Sequence, residues 1–294
     1  MDAYLVAVGV IALIYMLLAI GLNLQYGFTG LVNFGHVAFF AIGAYTSALL
    51  SLQGWPFLIT FPLAMVLAAL AAYPIGLLSL RLSDDYLAVV TLGFSETVRI
   101  VIQQEAWLTN GVQGLPGIAG LFVFLGNTRY SGLATLAVLI LCNVGAVLLL
   151  THLVRSPYGR LIQAVRDDEV AVETLGKDPA RLKVQVFMLG SALAGLAGAF
   201  YAHTITFISP EQFLPLVTFY VWIAVIIGGP GRTSGAVVGS LILLVFLEGS
   251  RFARDFVPGV TEVQMSSVRL AMVGLALILF TIYRPQGLMG KRTM

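Results

Sequence analysis

Polar side chains are scarce in this sequence, so each one inside an apolar run asks for a role. Glu96 and Arg99 stand three residues apart in such a run. That spacing puts them on one helical face, where they can pair. Ionisable groups at membrane depth point to function; the plainer reading is a structural pair that ties the segment to a neighbour. Asn33, His36 and Tyr45 share another apolar run. They could line a solute path or hydrogen-bond between helices beside a break, and spacing leaves both readings open. Other chemistry has little support. His36, His152 and His203 are scattered, unlike a metal-ligand set. Cys142 is the single cysteine, so no disulfide or cysteine-based metal site is available. No nucleophile–base set is evident. The run GGPGRTSG from Gly228 to Gly235 lacks the G-x-x-x-x-G-K-[ST] order of a phosphate loop. The chain is therefore expected to need no catalytic residue, metal or cofactor of its own. Gly228, Gly229, Pro230 and Gly231 suit a tight turn between two half-membrane pieces.

Composition sets the environment of these residues. Hydrophobic residues make up 59% of the chain and charged residues 10%. A soluble domain is closer to half apolar and a quarter charged. The apolar runs are long enough to span as helices, and the short alternating segments of a barrel are absent. A net charge of +2 is too small to suggest nucleic acid. Lys and Arg are absent before Arg81, so a basic signal-peptide region is missing and the first apolar segment is expected to be retained. The expected fold is an all-α polytopic membrane protein of about 8–10 transmembrane or half-membrane helices, some broken or re-entrant.

The segments follow in order. The first runs from about Tyr4 to Leu24, with Gly21, Gly27 and Gly30 weakening its end. The second, about Leu31 to Leu52, is polar enough to belong inside the bundle. The third, about Phe57 to Leu80, carries Pro62 and Pro74 as kink or boundary points. The fourth, about Tyr86 to Gln104, holds Glu96 and Arg99. A turn-rich loop leads to the fifth, about Ser131 to Val154. The sixth, about Ala180 to Thr204, carries two small-xxx-small series, Ser191, Gly195 and Ala199, and Ala194 with Gly198, which let helix backbones approach closely. A short piece, Leu216 to Ile227, ends in the glycine run, a mark of discontinuous transporter helices. Segments from about Ala236 to Glu248 and Ser266 to Tyr283, separated by a polar loop, complete the chain.

Between the fifth and sixth segments lies the longest polar interval, residues 155–183. Ser156-Pro157 reads as an N-cap followed by a first-turn proline. Tyr158, Leu161, Ile162 and Val165 then form an amphipathic face. A second short helix is expected from Glu169 to Leu175, stopped by Gly176. Asp178-Pro179 repeats the start signal. Placing this insert on the cytoplasmic side gathers Arg81, Arg155, Arg160, Arg166, Lys177, Arg181, Lys183, Arg232, Arg284, Lys291 and Arg292 there. Only Arg129, Arg251, Arg254 and Arg269 fall outside, which satisfies the positive-inside bias. The N-terminus is then outside and the C-terminus inside.

The ordered motifs GLNLQYGFTGLVNFGHVAFFAIGAYTSALL, DDYLAVVTLGFSETVRIV, YGRLIQAVRDDEVAVETLGKDPARLKVQVFMLGSALAGLAGAFYAH, FISPEQF, VIIGGPGRTSGAVVGS and YRPQGLMG resemble the LivM-type permease of branched-chain amino acid ABC importers. The resemblance covers nearly the whole chain. It implies one permease domain over residues 1–294 in a bacterial or archaeal cytoplasmic membrane. Its implied partners are membrane lipid, a second permease subunit, two cytoplasmic ATPase subunits that carry the ATP, and a periplasmic or extracellular solute-binding protein. Branched-chain amino acids are the implied cargo; urea, amides and other small amino-acid-like or aromatic acids travel on the same machine. A secondary transporter is the rival of another class. The resemblance makes the insert the ATPase-coupling element, with Tyr158, Gly159, Arg160, Ala164, Arg166, Asp168, Glu169, Ala171 and Gly176 matching its motif. An apolar helix face seated in an ATPase cleft, with charges fixing register, is the expected mode. Asn33, His36, Tyr45 and Glu96 are the expected path residues.

Overall fold

The computed structural model describes residues 2–80, 82, 84–123, 126, 128–254, 262–284 and 286–289. Helix α1 spans Asp2–Leu22 and passes directly into a π-helical stretch, Asn23–Gly27. Then follow α2 (His36–Leu52), α3 (Phe57–Leu78), α4 (Asp84–Gln104), the short α5 (Ala106–Thr109) and α6 (Thr128–Arg155). The insert holds α7 (Pro157–Asp167) and α8 (Glu169–Thr174). Helices α9 (Pro179–Ile205), α10 (Leu216–Gly228), α11 (Thr233–Arg254) and α12 (Glu262–Tyr283) follow. Strands β1 (Leu115–Pro116) and β2 (Phe207–Ile208) pair antiparallel. Among the described residues, five segments are long and apolar enough to cross a membrane: 4–27, 57–78, 129–155, 179–205 and 210–228. Two shorter apolar helices, 36–52 and 233–248, accompany them.

Helix α9 is the axis of the bundle. Along it, Gly190 faces Gly21 of α1, Gly195 faces Gly43 of α2 and Ala64 and Ala68 of α3, and Gly198 faces Phe40 and Ala44 of α2. A Cβ at Gly43 or Gly198 would run into the facing backbone. The small-residue spacing of the sixth segment therefore seats two neighbours at once. Gly76 of α3 lies against Val184 and Phe61 against His203, so α3 is antiparallel to α9. Pairings of α2 advance in step with α9, from Phe39 with Phe187 to Ser47 with His203. The two helices run parallel. Helix α1 runs the other way, with Gly21 beside Gly190 and Gln25 bonded to Phe187. It is parallel to α6, whose Gly132 meets Val6 and whose Asn143 donates to the Leu13 carbonyl. These pairings place the insert and residues 286–289 at one end of the bundle. Tyr4, which donates to Glu248 of α11, and the β1–β2 pair lie at the other.

Several boundaries differ from the sequence reading. The second segment is helical only from His36, because residues 31–35 form an irregular crossing. The first segment runs past Leu24: it widens to a π turn at Asn23–Gly27, passes Gly21 and Gly27, and ends at Gly30, whose φ is 79°. Helix α3 continues through both Pro62 and Pro74, and neither ends it. The polar loop expected after Glu248 is helical as far as Arg254. Residues 81, 285 and 290–294, which include Arg81, Lys291 and Arg292 of the charge-bias argument, lie outside the described residues.

A side chain at the α9 seam has nowhere to go. Gly198→Val should cost about 1–3 kcal/mol through overpacking. Gly145→Ala on α6, where an added Cβ meets open space, should stay within about 0.5 kcal/mol of the parent. Thermal unfolding of the two purified variants in detergent checks the contrast.

Candidate coupling site

The insert is built by local capping. The Ser156 hydroxyl accepts from the Gly159 amide at 3.3 Å, with Pro157 in the first turn of α7. Asp168 accepts from the Ala171 amide at 3.0 Å and so starts α8. Asp178 accepts from the Arg181 amide at 3.1 Å and starts α9. Gly176, at φ 72°, turns the chain between the last two helices. Each cap satisfies a backbone donor that a helix start would otherwise strand.

The apolar face of α7 packs inward, against the sequence expectation that it meets an ATPase cleft. Ile162 belongs to the main core. Val165 forms a smaller core with Val172 of α8 and Leu182 of α9, flanked by Tyr158, Leu161 and Ala164. A short helix standing off the bundle needs that face to hold itself in place. Gly159 sits so close to Val154 that a Cβ would strike the backbone there. The Tyr158 hydroxyl donates to Gln185 at 3.0 Å, and burial pushes its phenol pKa up. Lys183 pairs with Glu169 at 2.5 Å and ties α9 to α8. Arg160, Asp168, Ala171 and Gly176 are exposed. The outward apolar groups are Val170, 68% exposed, and Leu175, 78% exposed.

Arg166 leads from the insert into the bundle. Its guanidinium donates to the Gly27 carbonyl at 2.5 Å, in the π turn of α1. The α10–α11 turn lies beside it. Gly229 (φ 111°) and Gly231 (φ 78°) have positive φ there and make the turn expected of these glycines, but the segment before it, 210–228, is long enough to cross a membrane and is not the half-length piece expected from sequence. Asn23 clamps that turn: its side chain accepts from the Gly231 amide at 3.0 Å and donates to the Arg232 carbonyl at 2.9 Å. The carbonyls of Ile227 and Gly228 at the end of α10 accept from the Leu288 amide at 2.8 Å and the Met289 amide at 3.1 Å. Insert, π turn, broken-helix turn and C-terminal segment thus meet in one junction.

Deeper in the bundle a second polar network holds the 31–35 crossing. Asn33 donates to Gln25 at 2.8 Å and accepts from the Gly35 amide at 2.9 Å; Gln25 donates to the Phe187 carbonyl at 2.8 Å. Trp222 of α10 donates to the Asn33 carbonyl at 3.0 Å, and Thr218 accepts from the Val37 amide at 3.0 Å. His36 is buried beside Asn33 and Gly21. Tyr45 is buried against Phe213. Asn33, His36 and Tyr45 therefore sit inside this chain, whereas Glu96 is half-buried on α4, paired with Arg99 at 2.8 Å. The sequence reading passed over Asn23, Gln25, Thr218 and Trp222. The N-L-Q interruption of the first apolar run was the available signal. It also missed His203, which bonds Ser47 at 2.9 Å and the Ala119 carbonyl at 2.6 Å. Among the described residues, no group of three or more His, Cys, Asp or Glu could hold a metal ion.

Asn23→Ala strips both partners from the α10–α11 turn. A loss of about 1–3 kcal/mol is expected for each buried group left unsatisfied. Faster hydrogen exchange at the Gly231 amide, together with a lower unfolding temperature, is the measurement.

Residues 4–281 match the family model described as branched-chain amino acid transport system / permease component. The chain is 34% identical to the high-affinity branched-chain amino acid transport system permease protein LivM of Salmonella typhimurium, over 97% of this chain and 69% of that protein. It is 24% identical to the probable branched-chain amino acid transport permease protein LivM of Methanocaldococcus jannaschii, over 95% and 91% of the two chains. The high-affinity permease protein LivH of Escherichia coli is 27% identical, over 94% and 91%. No solved structure matches. With the family model covering almost the whole chain, and helices that can cross a membrane arranged around a broken-helix core, this protein belongs to the branched-chain amino acid transport permease family.

Proposed function

We propose that the chain is the membrane subunit of an ATP-driven importer for branched-chain or closely related amino acids, and that residues 155–183 are where separate ATPase subunits act. The relatives' names support the cargo. The observation that carries the coupling role is the two-sided insert. Outward it offers Val170 and Leu175; inward it is locked to α9 and, through Arg166, to the junction of α1 with α10 and α11. Exposed apolar side chains on a capped helix beside charged neighbours suit a protein partner, apolar contact giving affinity and charge giving register. A pull on α8 then reaches the broken helices through packed atoms and one charge-assisted hydrogen bond. In this reading the insert and C-terminus face the cytoplasm, and a solute-binding protein delivers cargo at the opposite end. A second permease subunit completes the passage.

The two sides of the insert call for two variants. Val170→Asp combined with Leu175→Asp changes exposed positions only. The chain should still insert, but ATPase subunits should no longer co-purify and ATP-driven leucine uptake into vesicles should disappear. Arg166→Gln should keep the ATPase subunits bound and hydrolysing while uptake falls severalfold, with partial recovery in Arg166→Lys. Normal uptake in the outer pair, or loss of ATPase binding in Arg166→Gln, would count against this division of labour.

A further inference from the structure

The outward surfaces of the spanning helices are not alike. Helix α3 shows Leu63, Val66, Leu70 and Leu77 to the outside, and α6 shows Leu141, Val144 and Leu148. Such faces suit lipid tails. Helix α4 is as long as a span, at 21 residues, yet it is absent from the apolar spans found among the described residues. It rests on α2 with one side, through Thr91, Phe94 and Ser95. Its other side is mixed: it exposes the apolar Val89, Ile100 and Val101 together with Gly93 and Thr97, with Glu96 35% and Arg99 21% exposed alongside.

Depth makes this face expensive. Phe94 stacks on Phe39, near the inner start of α2. Glu96 follows twelve residues after the start of α4 and eight before its end. At 1.5 Å per residue it lies about 18 Å from one end and about 12 Å from the other, near mid-span. An ion pair at that depth is costly against hydrocarbon, and membrane proteins turn such groups toward the bundle interior or a water-filled cavity. Within this chain the pair is only partly covered.

Resting on the reading of this chain as one of two permease subunits, we propose that the outer face of α4 is turned to the second permease subunit across a water-accessible seam. The relatives bear on the partner. This chain resembles both LivM and LivH of Escherichia coli, two permease proteins named for the same transport activity. The Glu96–Arg99 pair then stands at the shared boundary, shielded from lipid by the partner and open to water along the solute's route.

The test uses the full complex in membranes, with Cys142→Ala as the background. Thr97→Cys and Gly93→Cys probe α4, and Leu141→Cys and Leu70→Cys probe the lipid-suited faces. A membrane-impermeant charged thiosulfonate should label the α4 positions and spare the other two. A benzophenone amino acid at the same four sites should, on illumination, join the chain to a second permease subunit from positions 93 and 97 only. Co-purification of that subunit is scored first. Its absence overturns the two-subunit reading and this proposal together. Its presence without adducts from 93 or 97, or with labelling no greater there than at 141 and 70, overturns the placement of α4 alone.

Discussion

A break between helices leaves amides and carbonyls that need partners, and lipid supplies none. This chain breaks its helices twice near the insert end, at 23–35 and at 228–232, and the two breaks supply each other. Asn23 serves both the Gly231 amide and the Arg232 carbonyl. Trp222 serves the Asn33 carbonyl, Thr218 serves the Val37 amide, and Thr91 of α4 accepts from the Phe34 amide. The tail residues Leu288 and Met289 cap α10. Each break draws its partners from the other, so α1, α2, α10, α11 and the C-terminal segment are fixed by mutual need.

That mutual need explains why the insert lies where it does. A π turn keeps α1 helical but changes which carbonyls point inward. Arg166 takes the Gly27 carbonyl there. The same guanidinium lies close to Gly231, whose φ of 78° and close approach to the Gly27 carbonyl call for a glycine. The insert thus meets the bundle at the point where the two interruptions are held together. The covered face of α7 belongs to the same logic: its apolar side is spent on α8 and α9, and the large apolar groups the insert leaves exposed are Val170 and Leu175.

What could be read from sequence was the local part. Caps at Ser156, Asp168 and Asp178 depend on residues two or three positions away, and two of them were read from a following proline. The seam of α9 was legible because small residues at four-residue spacing are uncommon unless a backbone comes close. The pairing of the breaks was not legible, since Asn23 and Gly231 are joined only by the fold. Asn33 and His36 had two readings from sequence. In this conformation their partners lie within the chain, which favours bonding beside a break. The direction of the α7 face was misread for a related reason: periodicity tells that a face is apolar, not whether its cover is the same chain or another.

The division between covered and uncovered faces also limits where movement can occur. Helices α1, α2, α3 and α9 share a glycine seam in which backbones touch, and a close-packed seam shifts as a unit. Helix α4 meets that block by backbone at one point, where Thr91 lies against Gly35. It lies on α2 by aromatic and hydroxyl contacts and keeps an ion pair on its free side. On the reading proposed above, movement of the α1–α10–α11 junction carries the α9 block with it, and α4, at the edge of that block, is the helix whose outer neighbours change. A helix in that position needs a face that tolerates water and a partner in turn. Mixed small, polar and charged residues meet that need, while an apolar stripe like that of α3 would bind lipid in every state.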